Sequence, residues 1–425
     1  MTIDTFGTFD TFDALERRDP HERERDLMAR LPGLVARAQS AAGWASILAG
    51  VDAQQVTSRD ALAQLPITRK AGLKSLQTQA RPFGGLVTTP VGQLSRVYIS
   101  PGPIFDPEGR GLDWWRFARP MYAAGIRPGG LLQNCFSYHF TPAAFMVEGG
   151  ARCIGCAVIP AGAGQTEMQV QAIADLRPDT YVGTPSFLRI IIDKAREMGA
   201  DISSIKNALM GAEALPESLR TWLQENGVPH VLQTYASADL GSVAYETATD
   251  GVINPGMVLD EDVIVEIVRP GSGEPVAPGD IGEVVVTLFN DDYPLIRFAT
   301  GDMSAMLHDA PPSKCGRTNG RIRGWMGRAD QTTKVRAMFV HPAQVNNIIR
   351  RHPDVVKARL VVSGSMAQDV MTLRCEVDAT PSPDQAAAIV HSIREVTKLR
   401  GEVEFVVRGS LPGDGVLIED ARDYT

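Results

Sequence analysis

A chain of 425 residues with 44% hydrophobic and 22% charged side chains has a globular composition and is too long for one compact core, so two or more domains are expected. Its formal net charge of −8 argues against nucleic acid as the main partner, because phosphate backbones call for basic patches. No run is long and apolar enough to span a membrane, and the N-terminus has no basic start followed by an apolar stretch, so neither a membrane partner nor a secretion signal is expected.

In chain order, Phe6, Phe9 and Phe12 recur at spacing three. They read either as a docking arm or as a loose tail, and the tail is the simpler expectation. A helix is predicted over about 26–42, with Leu27, Leu31, Leu34, Val35 and Ala38 on one face. The stretch "VYISPGPIFDPEG", 97–109, reads as a strand, a Ser-Pro-Gly-Pro turn and a helix-like segment. Cys153 and Cys156 lie in "ARCIGCAVIPAG", which reads as a glycine turn entering a buried strand. Metal binding there is disfavoured, since a structural zinc site usually needs four ligands and no second pair is near. An odd total of five cysteines, with Cys315 also alone, fits no disulfide framework and predicts a reducing, cytoplasmic compartment.

The middle of the chain alternates strands and helices. "DTYVG" leads into Thr184 and Pro185, a helix cap and a first helical position, and that helix should stop near Gly199. "NALMGAEALPESLRTWLQENG" repeats the scheme, with a helix opening at Pro216 and ending before Gly227. "HVLQTYAS" is another strand. Such alternation argues for α/β layers with ligands at the C-terminal strand ends. After Gly251, "DVIVEIV" and "EVVVTLF" predict a β-rich subdomain. From about Lys334 the order is strand "KVRAMFV", helix, strand "VKARLVVS", strand "VMTLRCEV", helix, strand "VEFVV", which is the order of a ferredoxin-like unit. The predicted fold class is therefore α/β, with a large domain over 1–329 and a small ferredoxin-like α+β domain over 330–425.

Several blocks in fixed order resemble the phenylacetate–coenzyme A ligase family of adenylate-forming acyl-CoA synthetases: "LAQLPITRKAGL", "NCFSYHFTPAAFMVEGGARCIGCAVIPAG", "LRPDTYVGTPSFL", "GAEALPESLR", "QTYASADLGSVAYET", "YPLIRFATGD" and "GRADQTTKVRAMFVHPAQV". The resemblance implies an adenylate-forming fold using ATP, Mg2+ and coenzyme A. A carboxylate attacks the α-phosphate of ATP to give an acyl-adenylate and pyrophosphate. The small domain then turns, and the coenzyme A thiol displaces AMP.

The resemblance also assigns residues. Gly211, Ala212 and Glu213 lie against the adenine, Tyr235 in "TYASAD" stacks on the base, and Ser237 of the same block belongs to the nucleotide-binding residues. Asp239 stands where a glutamate helps hold magnesium, and its oxygen ligand has one methylene less reach. Asp302 matches the acceptor of the ribose hydroxyls, Arg328 an arginine near the ribose, and Asp330 the hinge of the small domain. Lys334 joins Asp239 as a catalytic residue, while Arg336 and Ala337 match the coenzyme A passage. Phe136, Tyr138 and His139 are candidates for an acyl pocket with flat apolar walls; as a cluster after a strand they read nearly as well as core.

Three departures from the family pattern stand out. The family's phosphate loop is Ser/Thr- and Gly-rich, and here it keeps only Ser100 and Gly102, because Pro101 and Pro103 lack an N–H and Asp106 brings negative charge. The family lysine near the end of the small domain has no counterpart: the aligned position is near Gly415 or Val416, and only Arg422 follows as a cation. Its loss removes charge stabilisation from adenylation. Ala337 replaces a glycine. The first expectation is an AMP-forming ligase for an aromatic or other small carboxylic acid. The alternative is a partial enzyme or pseudoenzyme that binds adenylate or acyl-CoA without efficient adenylation. A homodimer is an open alternative to a monomer.

Overall fold

The computed structural model describes residues 10–100, 103–308, 313–329, 331–336, 338–364, 369–377, 381–412 and 416–422. Two compact units, Met1–Met326 and Gly327–Thr425, make up the chain.

The first helix runs Pro20–Gln39, with Asp19 accepting from the backbone N–H groups of His21 and Glu22 and with Pro20 at the first turn. It thus starts earlier than predicted, because its charged opening turns carry no apolar period. Its far end also falls short of 42, and a separate helix Ala42–Ile47 follows. Leu27, Leu31, Leu34, Val35 and Ala38 are all buried, as the apolar stripe requires.

The large unit is built on two sheets. An eight-stranded sheet has the order Arg321–Ile322, Met257–Leu259, Gly241–Tyr245, His230–Ser237, Asn207–Met210, Thr180–Gly183, Leu131–Asn134, Ala157–Ile159. The strands from His230–Ser237 to Ala157–Ile159 are parallel, and those beyond His230–Ser237 run antiparallel. Helices Ala143–Ile154, Thr166–Leu176, Pro185–Met198 and Glu217–Glu225 make the crossovers. Gly199 closes its helix at φ +64, a left-handed position that favours glycine. Thr184 stands at the N-cap as predicted, but its side chain caps nothing. The second sheet, Thr68–Arg69, Leu295–Ser304, Gly282–Leu288 and Val263–Val268, is the predicted β-rich part.

Three local expectations are corrected. No helix follows the Ser-Pro-Gly-Pro turn: Arg96–Ser100 pairs antiparallel with Ile104–Glu108, and the Gln77 amide grips the backbone of Phe105 from both sides at 2.8 Å. The strand after the cysteine pair is not buried. Cys153 ends a helix, Gly155 reverses the chain, and Ala157–Ile159 is a half-exposed edge strand. Nor is the chain from Phe12 onward a loose tail. Phe12 packs edge-on to Tyr122 at 5.8 Å, Asp13 pairs with Arg119 at 2.9 Å, and Glu16 is fully buried. Phe6 and Phe9 lie outside the described residues.

The small unit is α+β. Its four-stranded sheet has the order Glu402–Val406, Val370–Val377, Val355–Ser363, Ile418–Asp420, with helices Pro342–Arg350 and Pro383–Thr397. The run "KVRAMFV" is not one strand of that sheet. It is a separate hairpin of Thr333–Val335 with Met338–Val340, turned by Arg336 at φ +47, whose N–H donates to the Asp369 carboxylate at 2.8 Å. The sheet takes its remaining strand from Ile418–Asp420, parallel to Val355–Ser363. That segment is too short for its period to show in the sequence.

No helix of the described residues is long and apolar enough to cross a membrane.

Candidate active site

The parallel strands end at a common edge, where an α/β sheet places its ligands. Asn207–Met210 runs into Gly211, Ala212 and Glu213. A side chain on Gly211 would meet the Phe136 ring at 3.4 Å, so this turn and the strand-end aromatic are in close contact. Ala212 holds a left-handed φ of +63. The Glu213 carboxylate accepts from the Ser186 hydroxyl at 2.5 Å, and its carbonyl accepts from the Gln233 amide at 3.0 Å. The turn is therefore fixed from two neighbouring elements.

One strand over, the Tyr235 phenol donates to Asp302 at 2.9 Å. Trp325 Nε1 donates to the other Asp302 oxygen at 3.2 Å. A carboxylate is a good acceptor for a pair of hydroxyls. Ser237 and Asp239 follow Tyr235, with the Ser237 hydroxyl 3.5 Å from Asp239.

The strongest contact at this edge was not foreseen in the sequence. Lys70, just after the strand Thr68–Arg69, places its ammonium 2.5 Å from Asp239, and Asp239 is only 1% exposed. Burial opposes charge on Lys70, but Asp239, Asp106 and Asp302 outweigh it, and the net pKa shift is upward. The block "LPITRK" gave no periodic or chemical cue that a residue so far ahead in the chain would reach Asp239.

Asp106 is also inside. It sits opposite Tyr98 in the hairpin, is fully buried, and neither carboxylate oxygen has a hydrogen-bond partner. Burial first, and repulsion from Asp239 second, push its carboxyl up to about 8, against the pull of the Ser100 hydroxyl and Lys70. Its charge is thus largely suppressed at neutral pH. Ser100 is buried, and its hydroxyl reaches the Ile104 carbonyl at 3.4 Å; Pro101 and Gly102 lie outside the described residues.

A stability prediction follows from Asp106. Its folded pKa lies above its unfolded value, so the folded chain holds a proton that the unfolded chain gives up. Its contribution is full below pH 4 and is lost as pH rises through about 8. In chelator, urea melts are expected to show stability falling by up to about 1.4 kcal/mol per pH unit over that window, and Asp106→Asn should flatten the slope. Equal slopes in both proteins would contradict the buried, protonated carboxyl.

The aromatic candidates divide. Phe136 is buried. The Tyr138 phenol donates to Glu148 and accepts from Asn134, both at 2.9 Å, and burial with Glu148 pushes its pKa far up. Its ring is edge-on to Phe145 at 5.3 Å. His139 is exposed, stacked edge-on to Phe140, and is not brought together with the other two.

Within the small unit, Lys334 Nζ lies 5.9 Å over the Phe339 ring. Its carbonyl accepts from Arg422 at 2.9 Å. Arg422 is held by Asp369 at 3.0 Å and by Asp420. Arg336 is tied to Asp369 through backbone and side chain. Lys357 Nζ bonds the carbonyls of Leu411 and Pro412 at 2.9 and 2.8 Å, pinning the Leu-Pro turn. Arg328 lies at the start of this unit. Asp330, Ala337 and Gly415 lie outside the described residues.

A parallel sheet whose strand ends carry a Gly-Ala-Glu turn, a tyrosine on an aspartate and a second buried aspartate defines an AMP-binding enzyme of the adenylate-forming class. The sequence profile of the AMP-binding enzyme family matches residues 132–287. A crystal structure of 2-hydroxyisobutyryl-CoA ligase in complex with 2-HIB-AMP and CoA shares the fold, with a TM-score of 0.80 at 23% identity over 100% of this chain and 96% of that one. Phenylacetate-coenzyme A ligase of Thermus thermophilus is 30% identical over 340 residues, 77% of this chain and 75% of that one. The Escherichia coli enzyme of the same name is 28% identical over 387 residues, 86% and 85% of the two chains. The chain belongs to the phenylacetate–coenzyme A ligase family.

Proposed function

We propose that the chain is an AMP-forming carboxylate–CoA ligase acting on an aromatic or other small carboxylic acid, with phenylacetate the first to try. The observation that carries this is the convergence of Tyr235 and Asp239, from the strand His230–Ser237 and the turn after it, with Asp302 and Lys70 from the four-stranded sheet. In the first half-reaction a carboxylate oxygen of the acid attacks the α-phosphorus of ATP, and the bond to pyrophosphate breaks. Asp302 accepts the ribose hydroxyls and Tyr235 lies against the base, above the floor made by Gly211, Ala212 and Glu213. Asp239 fits a magnesium ion: one of its oxygens is buried without a partner, and a carboxylate is a hard ligand. Magnesium supplies charge neutralisation on the phosphates.

Lys70 is the cation of the large unit best placed to serve the phosphates. It fills the charge deficit left by the absent small-domain lysine, a task that Arg422 does not fit while held by Asp369 and Asp420. Phe136 and Tyr138 wall the acyl group, with Tyr138 fixed by Glu148. In the second half-reaction the coenzyme A sulfur attacks the acyl carbon, AMP leaves, and the thiol proton passes to solvent. Arg328, Lys334, Arg336 and Ala337 belong to this step, with the small unit turning at Asp330. A cytoplasmic homodimer completes the proposal.

Acid- and CoA-dependent release of AMP from ATP is the expected result across a panel of aryl acids, with ATP binding at least as tightly as AMP by calorimetry. Binding of AMP and acyl-adenylates with no acid in the panel giving AMP release would favour the non-adenylating alternative, which the matched ligase relatives do not support.

A further inference from the structure

We infer that Arg422 is a positioning residue for thioester formation: it braces the hairpin that carries Lys334 and Arg336. The tail of the chain thereby serves the coenzyme A step although it lacks the family's lysine. The inference rests on the coenzyme A role proposed for that hairpin.

The hairpin needs a brace. Thr333–Val335 and Met338–Val340 pair with each other and stand apart from the four-stranded sheet of the small unit. A two-stranded hairpin is marginally stable by itself. Val335 and Val340 pack into the core of the unit, but Arg336, Met338 and Phe339 are exposed. Arg336 also holds a left-handed φ of +47, a conformation that is unfavourable for a residue with a Cβ and persists where its neighbours enforce it.

The enforcing groups meet at the tail. The Asp369 carboxylate accepts from the Arg336 backbone N–H at 2.8 Å, and its carbonyl accepts from the Arg336 guanidinium at 3.0 Å. Arg422 Nη1 donates both to Asp369 Oδ1 at 3.0 Å and to the Lys334 carbonyl at 2.9 Å. One nitrogen thus ties the first strand of the hairpin to the residue that pins its turn. The rest of the guanidinium forks onto Asp420, Nε at 2.8 Å and Nη2 at 2.5 Å, and Asp420 accepts in turn from the Thr333 hydroxyl at 3.0 Å. Asp420 ends the strand parallel to Val355–Ser363, so the brace is anchored in the sheet. The Arg422, Asp369 and Asp420 side chains are 15%, 13% and 20% exposed, and shielding from water strengthens charged hydrogen bonds of this kind. A planar fork with several recipients is a task for arginine, since a lysine ammonium is a single point.

The test compares the full chain with Arg422→Met. Hydrogen–deuterium exchange at amides of 333–340 should quicken by about 10-fold or more, while the strands 355–363 and 370–377 keep their protection. Thioester formation from phenylacetyl-adenylate and coenzyme A should slow about 10–100-fold, the scale of a small misplacement of a working group. Pyrophosphate release from ATP with phenylacetate should be unchanged. Arg422→Lys should recover part of the thioester rate. Asp369→Asn keeps the shape, should give the same split more weakly, and guards against an Arg422 variant that fails to fold. Glu404→Gln, which loosens an exposed pair with Arg374 on the same sheet, should move neither readout. Unchanged exchange in the hairpin overturns the inference, as does a loosened hairpin with undiminished thioester formation. So does faster exchange across the whole sheet with both half-reactions slowed together, the mark of a merely structural role. If the unaltered chain forms neither AMP nor thioester, the ligase reading fails, and the exchange comparison decides the brace by itself.

Discussion

Replacing Glu16 with alanine is expected to cost the large unit about 3–5 kcal/mol, seen as a fall in melting temperature of roughly 5–10 °C. Glu16 is 1% exposed and Arg317 4%, and the guanidinium donates to the carboxylate. The same oxygen accepts from the Tyr245 phenol at 2.7 Å, and the other accepts from the backbone N–H of Phe12 at 2.6 Å. Alanine would leave a buried arginine without its counter-charge and a buried phenol without its acceptor, and each of these is among the costlier single changes a protein can suffer. Nearby pairs do not rescue it: Arg18 and Arg23 are engaged with Glu261 at 3.0 and 2.9 Å, and Arg119 with Asp13 and Asp260. Glu16→Gln keeps the shape and an acceptor for Tyr245, so its loss should be clearly smaller. A change below about 1 kcal/mol for alanine, the range of an exposed ion pair, would show that the segment from Phe12 to Arg18 is held by something else.

That network was not legible in the sequence, and the reason is physical. Glu16 lies in a charged opening, "ALERRDPHERERD", where every residue reads as solvated. Only the fold brings Tyr245 and Arg317 over it from far along the chain. Long-range pairing of this kind leaves no local period. The elements with a local period were read well: the buried stripe of Pro20–Gln39, the alternation from Thr180–Gly183 to His230–Ser237, and the Gly199 stop each follow from spacing or backbone preference within a few residues. The misses have the opposite character. The hairpin strand Ile104–Glu108 contains Asp106 and Pro107, both poor strand formers, and is held by pairing with Arg96–Ser100 and by Gln77. The strand Ile418–Asp420 has only three residues and exists because Val355–Ser363 offers it an edge.

The candidate site divides along the same line. Residues on the quoted blocks around Gly211, Tyr235 and Asp302 could be aligned by order, and the structure puts Tyr235 on Asp302. Lys70, just after a strand of the smaller sheet, meets Asp239 only because the two sheets adjoin there. His139 shows the converse: adjacency to Tyr138 in sequence suggested a shared wall, but five residues past the end of the strand Leu131–Asn134 the chain has already turned to solvent.

Lys70 carries the second large expectation. Lys70→Met should slow pyrophosphate release in the first half-reaction by about 10²–10³-fold, the usual consequence of removing one fixed charge-stabilising group from developing negative charge. Thioester formation from a supplied acyl-adenylate should be nearly unchanged, because in that step the pyrophosphate has already gone and, on the proposed assignment, the leaving AMP is held by Asp302 and Tyr235 rather than by Lys70. The split separates a phosphate role from a structural one. Were Lys70 only a partner that keeps Asp239 in place, its loss would displace Asp239, loosen the strand end after Tyr235, and slow both half-reactions together. Arg in place of Lys keeps the charge but spreads it over a planar group that cannot occupy the same point against Asp239, so Lys70→Arg should recover only part of the first step. Methionine preserves most of the side-chain volume, and a melting curve within a few degrees of the unaltered protein would exclude unfolding as the cause. Equal loss in the two half-reactions would refute the phosphate role and return the problem of the missing small-domain cation to residues beyond Leu411.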